Sequence, residues 1–383
     1  MPLPKSLSKW RVLLASLFIV KITVMILTPP LGDLINWTAD TKITLEYVTK
    51  GHFPPISVTG VYGPIELLLT PFYWIWTKLP VQHPLVHDML YSQTTPALLL
   101  SALMKLPPLV ADIITGYVLF TLTLRLTRSE KKGKLACLLW YANPYNIFWI
   151  NAFGAMDAIP TLIFLLALVA GYSNKWFRAG ICTSVASILR IYPLFTFPFF
   201  LPAIQSRKYR GHVFLGFLLP IIAVLIVLYA SGAGTLNAIV QLPNAEYWLL
   251  DFLGGNLTNV SIRLALVLLP LQFYVVIRYW KKTALVYLAT VSILALLIGA
   301  QNTPPHHFLW LSPLLTICVV LNPDETWIFI LTFVTASLHL TPIFGLGVFP
   351  AALFSLADPF FGGCFYAAKT TYLIKLNLMN SKG

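Results

Sequence analysis

Apolar runs close to 20 residues long recur along the whole chain, and they restrict what it can fold into. The run from Trp10 to Pro29 and the run from Pro96 to Leu124 are the clearest. An α-helix needs about 20 residues to cross the hydrocarbon core of a bilayer. Only 10% of the residues are charged, against about 25% in globular proteins. We therefore predict an all-α, polytopic membrane protein in which residues 1–383 form a single transmembrane domain.

Basic residues indicate how the helices are oriented, and their placement argues against nucleic-acid binding. The formal net charge is +13, but most Lys and Arg residues lie in short clusters and not along one binding surface. These clusters are at 5–11, 125–134, 175–178, 207–210, 278–282 and 369–382. Because basic loops stay in the cytoplasm, we predict about 12 crossings with both termini cytoplasmic. The membrane would be the plasma membrane of a prokaryote or the endoplasmic reticulum of a eukaryote.

The predicted topology contains two large external loops. Residues 30–95 form the first loop, and the aromatic segment 64–76 within it is expected to lie on the membrane as an interfacial or re-entrant helix. Residues 232–260 form the second loop. Residues 180–205 are too long for one crossing and short for two, so we predict a helical hairpin with Arg190 at its tip.

Charged residues in or beside the predicted helices have a structural and a functional interpretation. Lys105 and Asp112 are seven residues apart and share one face of a helix. Since unpaired charge in a membrane is costly, they form an ion pair, with each other or with another helix, or belong to a donor site. Asp157 is a helix N-cap, a catalytic acid or both. Arg190 faces a polar cavity or a phosphate, or it is an ion-paired structural residue.

Acidic residues collect on the external side in this topology. That side also receives His306, His307 and the tip of the predicted hairpin. The external acids are Asp33, Asp40, Glu46, Glu66, Asp88, Asp157, Glu246 and Asp251. The cytoplasmic loops are short and basic, so any chemistry is expected on the external face.

An activated donor on that face would have to arrive by lipid, because the sequence has no Walker or Rossmann glycine loop. A polyprenyl-phosphate sugar fits this requirement. Its phosphate would bind Arg190, His306 and His307, and a carboxylate would take the proton of the acceptor hydroxyl. A second carboxylate would orient the acceptor or hold a divalent cation such as Mg²⁺ or Mn²⁺.

Several short motifs occur in the order found in GT-C glycosyltransferases. They include "GDLINW", "YGPIELLLTPFYW", "KLPPLVADIITGYVLF", "NPYNIFWINAFGAMDAIPTLIF", "AGICTSVASILRIYPLFTFPFFL" and "HHFLWLSPLL". In these the chain resembles the GPI first-mannose transferase and its prokaryotic relatives. In that group an NP…G..D segment precedes a Lys/Arg-Ile-Tyr-Pro segment and a late Tyr/His-Phe-Leu-Trp. The likeness extends over residues 30–315.

The resemblance implies a GT-C-like arrangement of helices and an inverting transfer of a sugar. The donor would be a polyprenyl-phosphate sugar, such as dolichyl-phosphate mannose. By position, Asp33 is the candidate base just after the first helix, Asp157 is the second-loop acid, and Arg190 is the basic residue before Ile-Tyr-Pro. The related enzymes carry an Asp-x-Asp pair in the first loop. Here Asp33 and Asp40 are seven residues apart, so both are catalytic candidates.

The expected partners are the lipid-linked donor, membrane lipids and an acceptor that is a lipid-linked glycan or a peptide. The resemblance leaves room for a small partner subunit in the membrane. The alternative function is a non-catalytic membrane subunit of a glycolipid or GPI-type complex, because relatives of this fold can lack the acids. Asp33 and Asp157 favour the enzyme. A transporter is less favoured, since no internal repeat is visible.

Overall fold

All regular structure that the computed structural model describes is helical, and the described residues contain no strand. The described residues are 5–31, 33–51, 65–90, 92–190, 192–204, 207–230, 285–287, 289–290, 292–293 and 305–323. The α-helices are α1 (Lys5–Leu27), α2 (Asp33–Thr49), α3 (Ile65–Thr77), α4 (Thr95–Thr127), α5 (Glu130–Tyr141), α6 (Pro144–Asn146), α7 (Ala158–Tyr172), α8 (Trp176–Leu189), α9 (Tyr192–Ala203), α10 (Arg207–Ala230) and α11 (Ser312–Leu321). Val86–Met89 and Pro305–Trp310 are 3₁₀ helices, and Ile147–Ala152 is π-helical.

Three helices are long and apolar enough to cross a membrane. Their apolar segments are Trp10–Leu27 of α1, Thr95–Thr127 of α4 and Lys208–Ile226 of α10. Only 11% of the α1 segment and 17% of the α10 segment are buried inside the protein, so their apolar side chains are left for lipid to cover. Helices α7, α8 and α11 are apolar but shorter. The helical, membrane-associated character expected from the sequence is therefore present.

The number of crossings and the location of the termini stay predictions. Apolar runs also predict crossing helices at 261–279, 283–300, 326–341 and 344–361. The predicted second external loop, 232–260, lies outside the described residues, as do the helices predicted at 261–279, 326–341 and 344–361. The helix predicted at 283–300 is described only at a few positions, among them 285–287.

Two buried charges on α4 fasten it to α1. The Asp112 carboxylate contacts Lys21 Nζ at 2.6 Å, and both side chains are fully buried. Lys105 Nζ donates to the carbonyl and to the hydroxyl of Thr28, at 2.9 Å each. Lys105 and Asp112 thus pair with another helix and not with each other. Unpaired charge in an apolar environment is costly. These contacts therefore hold α1, and the residues between α1 and α2, against α4.

The apolar run at 135–150 predicts one continuous helix, but the helix there is interrupted. α5 ends at Tyr141, and Pro144 opens a new short helix because proline lacks the N–H that an uninterrupted helix requires. The side chain of Asn143 caps that helix by accepting the N–H of Tyr145 at 3.0 Å. The π-helical stretch follows, and Gly154 with φ of 79° then turns the chain toward α7.

The region predicted to form the first external loop contains more helix than the sequence indicated. Within 30–95 the aromatic segment at 64–76 was expected to be helical, and it forms α3. The polar stretch before it also forms α2, whose residues Leu34, Trp37 and Thr41 are buried at helical spacing. Both helices pack together and against α4. The loop therefore holds a packed layer of helices over one end of α4.

Helices α8 and α10 approach closely through two glycines. A Cβ atom at Gly180 of α8 would overlap the backbone oxygen of Val213, and one at Gly216 of α10 would overlap the backbone oxygen of Phe177. Small residues allow this backbone contact between apolar helices. The contact holds α8 in place, and α8 ends at the predicted hairpin tip.

Substitution of Gly180 by alanine is expected to destabilise the protein by about 1–3 kcal/mol, because the added methyl group forces the two backbones apart. The midpoint of thermal unfolding in detergent measures this. Gly211→Ala on α10 is the matched control, since a Cβ there meets nothing within 4 Å. An equal midpoint for the two variants would show that α8 and α10 are not in close contact.

Candidate active site

Asp157 lies at the junction between the π-helical stretch and α7, and it is 1% exposed. It occupies the N-cap position of α7, but its side chain makes no capping hydrogen bond. The carboxylate instead contacts groups brought from distant parts of the chain. The capping interpretation is therefore wrong for the side chain, and Asp157 serves as the centre of a buried polar cluster.

Arg190 is the first partner of Asp157. It lies between α8 and α9, which form the predicted hairpin with this residue at the tip. Its Nε is 2.9 Å from Asp157 Oδ1, and its Nη2 donates to Oδ2 at 3.4 Å. The guanidinium carbon also lies 5.5 Å from the ring centroid of Trp37 on α2. Such a cation–π contact favours a guanidinium that is removed from water.

The 3₁₀ helix Pro305–Trp310 supplies the other partners. Trp310 Nε1 donates to Asp157 Oδ1 at 2.7 Å, and His306 Nε2 lies 3.8 Å from Oδ2. The ring of Trp310 is stacked between those of Tyr192 and His307, at centroid distances of 4.4 and 4.3 Å. This stack fixes the indole N–H in the direction of the carboxylate.

These contacts set opposite protonation preferences within the cluster. Burial alone would raise the pKa of Asp157, but Arg190, the two histidines and the Trp310 hydrogen bond outweigh it and lower the pKa to about 2. Burial, together with the neighbouring His306, holds the pKa of His307 well below its usual value. Asp157 is thus ionised and His307 neutral at physiological pH.

Two further buried carboxyl groups lie on α2 and α3. Asp40 on α2 is 1% exposed, and Glu66 in the first turn of α3 is 4% exposed. The Glu66 carboxyl interacts electrostatically with both Asp40 and Arg190. Trp37, which contacts Arg190, is three residues before Asp40 and so on the same side of α2. Arg190 therefore links Asp157 with the acids of α2 and α3.

Glu66 differs from Asp157 in its protonation. Burial, with a smaller contribution from Asp40, raises the pKa of Glu66 to about 9, although a backbone hydrogen bond and Arg190 oppose the rise. Glu66 therefore keeps its proton at neutral pH. Its Oε1 has no hydrogen-bond partner among the described residues. Carboxyl groups with separated pKa values are what acid and base roles in one site require.

Raising the pH is expected to destabilise the wild-type protein through Glu66. Unfolded, this residue loses its proton near pH 4.5, and folded it keeps the proton up to about pH 9. The stability it contributes is therefore complete below pH 4.5 and is lost as the pH rises through the folded pKa. Glu66→Gln has no proton to lose. Between pH 4.5 and about 9, its thermal midpoint in detergent should therefore fall by several degrees less than that of the wild type.

The control for this measurement is Glu46→Gln, which changes an exposed acid of α2. It should keep the pH profile of the wild type. If Glu66→Gln also kept that profile, Glu66 would not be a protonated residue in the folded protein.

The structure brings together most of the residues selected from the sequence. Asp157, Arg190, His306 and His307 form one buried cluster, and Asp40 adjoins it through Glu66. Asp33 begins α2, but its side chain lies outside the described part, so its role as the base stays a prediction.

Sequence reasoning did not assign a role to Glu66, Trp310, Tyr192 or Trp37. Glu66 had a signal, since it is the one acid in the apolar segment "PIELLLTPFYWIW". Trp310 had a weaker one, as part of the motif "HHFLWLSPLL". The contacts of Tyr192 and Trp37 arise from the packing of distant helices and leave no local pattern.

The predicted divalent cation has no evident ligand set here. Among the described residues, no group of three His, Cys, Asp or Glu side chains is arranged to hold a metal ion. The carboxylate of Asp157 is instead neutralised by Arg190.

The chain matches no model of a known protein family, and no curated protein is significantly similar to it.

Proposed function

We propose that this chain is a membrane glycosyltransferase. It would transfer a sugar, in the first place mannose, from a polyprenyl-phosphate donor to a membrane-associated acceptor on the external side, with inversion. The observation that carries the proposal is the buried cluster in which Arg190 contacts Asp157 and interacts with the protonated Glu66 beside Asp40. A cation next to carboxyl groups of unequal proton affinity suits a reaction that releases a phosphate and deprotonates a hydroxyl.

The donor half of the site consists of Arg190 and His306. A guanidinium has five N–H donors, and only two of its three nitrogens face Asp157, so donors remain for a phosphate oxygen. His306 Nε2 lies 3.8 Å from Oδ2 of the same carboxylate. Asp157 and Trp310 would hold these groups in position and would not touch the sugar. The neutral His307 would support Trp310 by stacking.

The acceptor half consists of Asp40 and Glu66. The acceptor oxygen would form a bond to the anomeric carbon while the bond from that carbon to the phosphate oxygen breaks. Its proton would move to Asp40, and the negative charge gained by the leaving polyprenyl phosphate would be stabilised at Arg190. Attack opposite the leaving group inverts the anomeric configuration. This scheme needs no divalent cation, and it assigns the base role to Asp40, whose buried carboxyl interacts electrostatically with Glu66.

A photoreactive polyprenyl-phosphate sugar analogue tests the donor site in liposomes. Labelled peptides are expected to contain Arg190 or residues 305–310. Excess polyprenyl-phosphate mannose should prevent this labelling, and a polyprenol without phosphate should not. Labelling confined to α1 and α10, and insensitive to the phosphate competitor, would show that the protein contacts the analogue only as a membrane lipid.

A further inference from the structure

Glu66 has a position that packing alone does not explain. It replaces an apolar residue on the buried face of α3, where its neighbours on that face are Ile65, Leu69 and Tyr73. Its side chain is 4% exposed, and its Oε1 accepts no hydrogen bond within the described part of the chain. A leucine would fill the same space without a buried polar group. A buried carboxyl oxygen that receives no hydrogen bond from the described residues costs stability, and a functional role would explain that cost.

The surroundings of Glu66 indicate that role. Its carboxyl interacts with Asp40, the proposed base, and with Arg190, the proposed phosphate ligand. It therefore lies where the acceptor must approach the donor. A neutral carboxyl offers one O–H donor and an acceptor oxygen, while a carboxylate offers acceptors only.

We infer that Glu66 binds the acceptor beside Asp40 by hydrogen-bonding a second hydroxyl group next to the one that attacks. The inference rests on the proposed function and specifies the chemical class of the acceptor. Asp40 takes the proton of the attacking hydroxyl, and Glu66 both donates to and accepts from the neighbouring hydroxyl. The acceptor is then a sugar or another polyol with adjacent hydroxyls, and not the single hydroxyl of a serine or threonine side chain. No proton is transferred at Glu66.

Two variants of the full-length protein separate binding from folding. Glu66→Leu removes a buried polar group and should raise the thermal midpoint, so a loss of activity in this variant cannot come from misfolding. Glu66→Gln keeps one donor and one acceptor and should restore binding. The probes are octyl mannoside, its monodeoxy analogues and a threonine-containing acylated peptide, each offered with a short-chain polyprenyl-phosphate sugar carrying mannose or glucose.

With octyl mannoside, Glu66→Leu should raise the acceptor KM at least about 10-fold, and Glu66→Gln should stay within about 3-fold of the wild type. The donor KM should be unchanged in both variants. The wild type should have as high an acceptor KM for one of the monodeoxy analogues as Glu66→Leu has for octyl mannoside. The peptide should not be glycosylated.

Two results would overturn the inference while leaving the proposed function in place. One is an unchanged acceptor KM in Glu66→Leu, and the other is efficient glycosylation of the peptide. Absence of transfer by the wild type from either donor sugar to any probe would overturn the proposed function and this inference together.

Discussion

Replacing Arg190 by methionine is expected to yield little folded protein and no sugar transfer. The reason is the buried ion pair with Asp157, whose carboxylate would be left without its cation while 1% exposed. Removing one partner of a buried pair typically costs about 3–5 kcal/mol. That is a large part of the roughly 5–15 kcal/mol by which a folded domain is stable. Gel filtration in detergent and the thermal midpoint report the loss of folding.

A double variant separates the structural role of Arg190 from its catalytic one. Combining Arg190→Met with Asp157→Asn removes both charges, and the asparagine oxygen still accepts the Trp310 N–H. Folding should largely recover, because neither charge of the Arg190–Asp157 pair is left without its partner. Transfer should remain at least about 100-fold below that of the wild type, since one lost donor to a developing anion costs about 10²–10³.

Arg178→Met is the matched control for these variants, because Arg178 is an exposed cation of the same helix α8. It should behave as the wild type in both measurements. If the folded double variant transferred sugar at the wild-type rate, the Arg190–Asp157 pair would be only a structural ion pair.

Replacing Asp40 by asparagine is expected to reduce transfer at least about 100-fold, in the range that a general base contributes. Asparagine has nearly the same shape, so the packing of α2 against α3 should be kept. It cannot take the proton of the acceptor hydroxyl. The initial rate of transfer from a labelled polyprenyl-phosphate sugar measures the effect, and an unchanged thermal midpoint shows that the variant is folded.

Glu46→Gln is the control for Asp40→Asn, because Glu46 is an exposed acid on the same helix. Asp33→Asn tests the base favoured by the family resemblance. A loss of about 100-fold in Asp33→Asn, with near-normal transfer by Asp40→Asn, would move the base role from the described cluster to the start of α2.

Much of the described fold was predictable because membrane helices leave a strong sequence signal. The apolar runs locate α1, α4 and α10, and the length of 180–205 with its central arginine indicates the hairpin of α8 and α9. α2 was missed because its acidic and hydroxyl residues suggest an exposed loop. Its buried Leu34, Trp37 and Thr41 carry the helical period all the same.

Residues of the candidate site were predictable only where burying the side chain among its sequence neighbours costs free energy. A charge such as Arg190 or Asp157 beside apolar segments requires a partner or a function, so both could be selected. Which partner it has depends on the packing of helices that are distant in sequence. Lys105 shows this well, since it is close to Asp112 along α4 and yet binds Thr28 at the end of α1.

The most direct test is sugar transfer by the purified protein in liposomes. The donors are labelled polyprenyl-phosphate mannose and glucose, and the acceptors come from a membrane lipid extract. The wild type and Glu46→Gln are expected to form a product of inverted anomeric configuration, and Asp40→Asn should form it at no more than about one hundredth of that rate. Folded wild-type protein that transfers neither sugar would contradict the account and favour a non-catalytic membrane subunit.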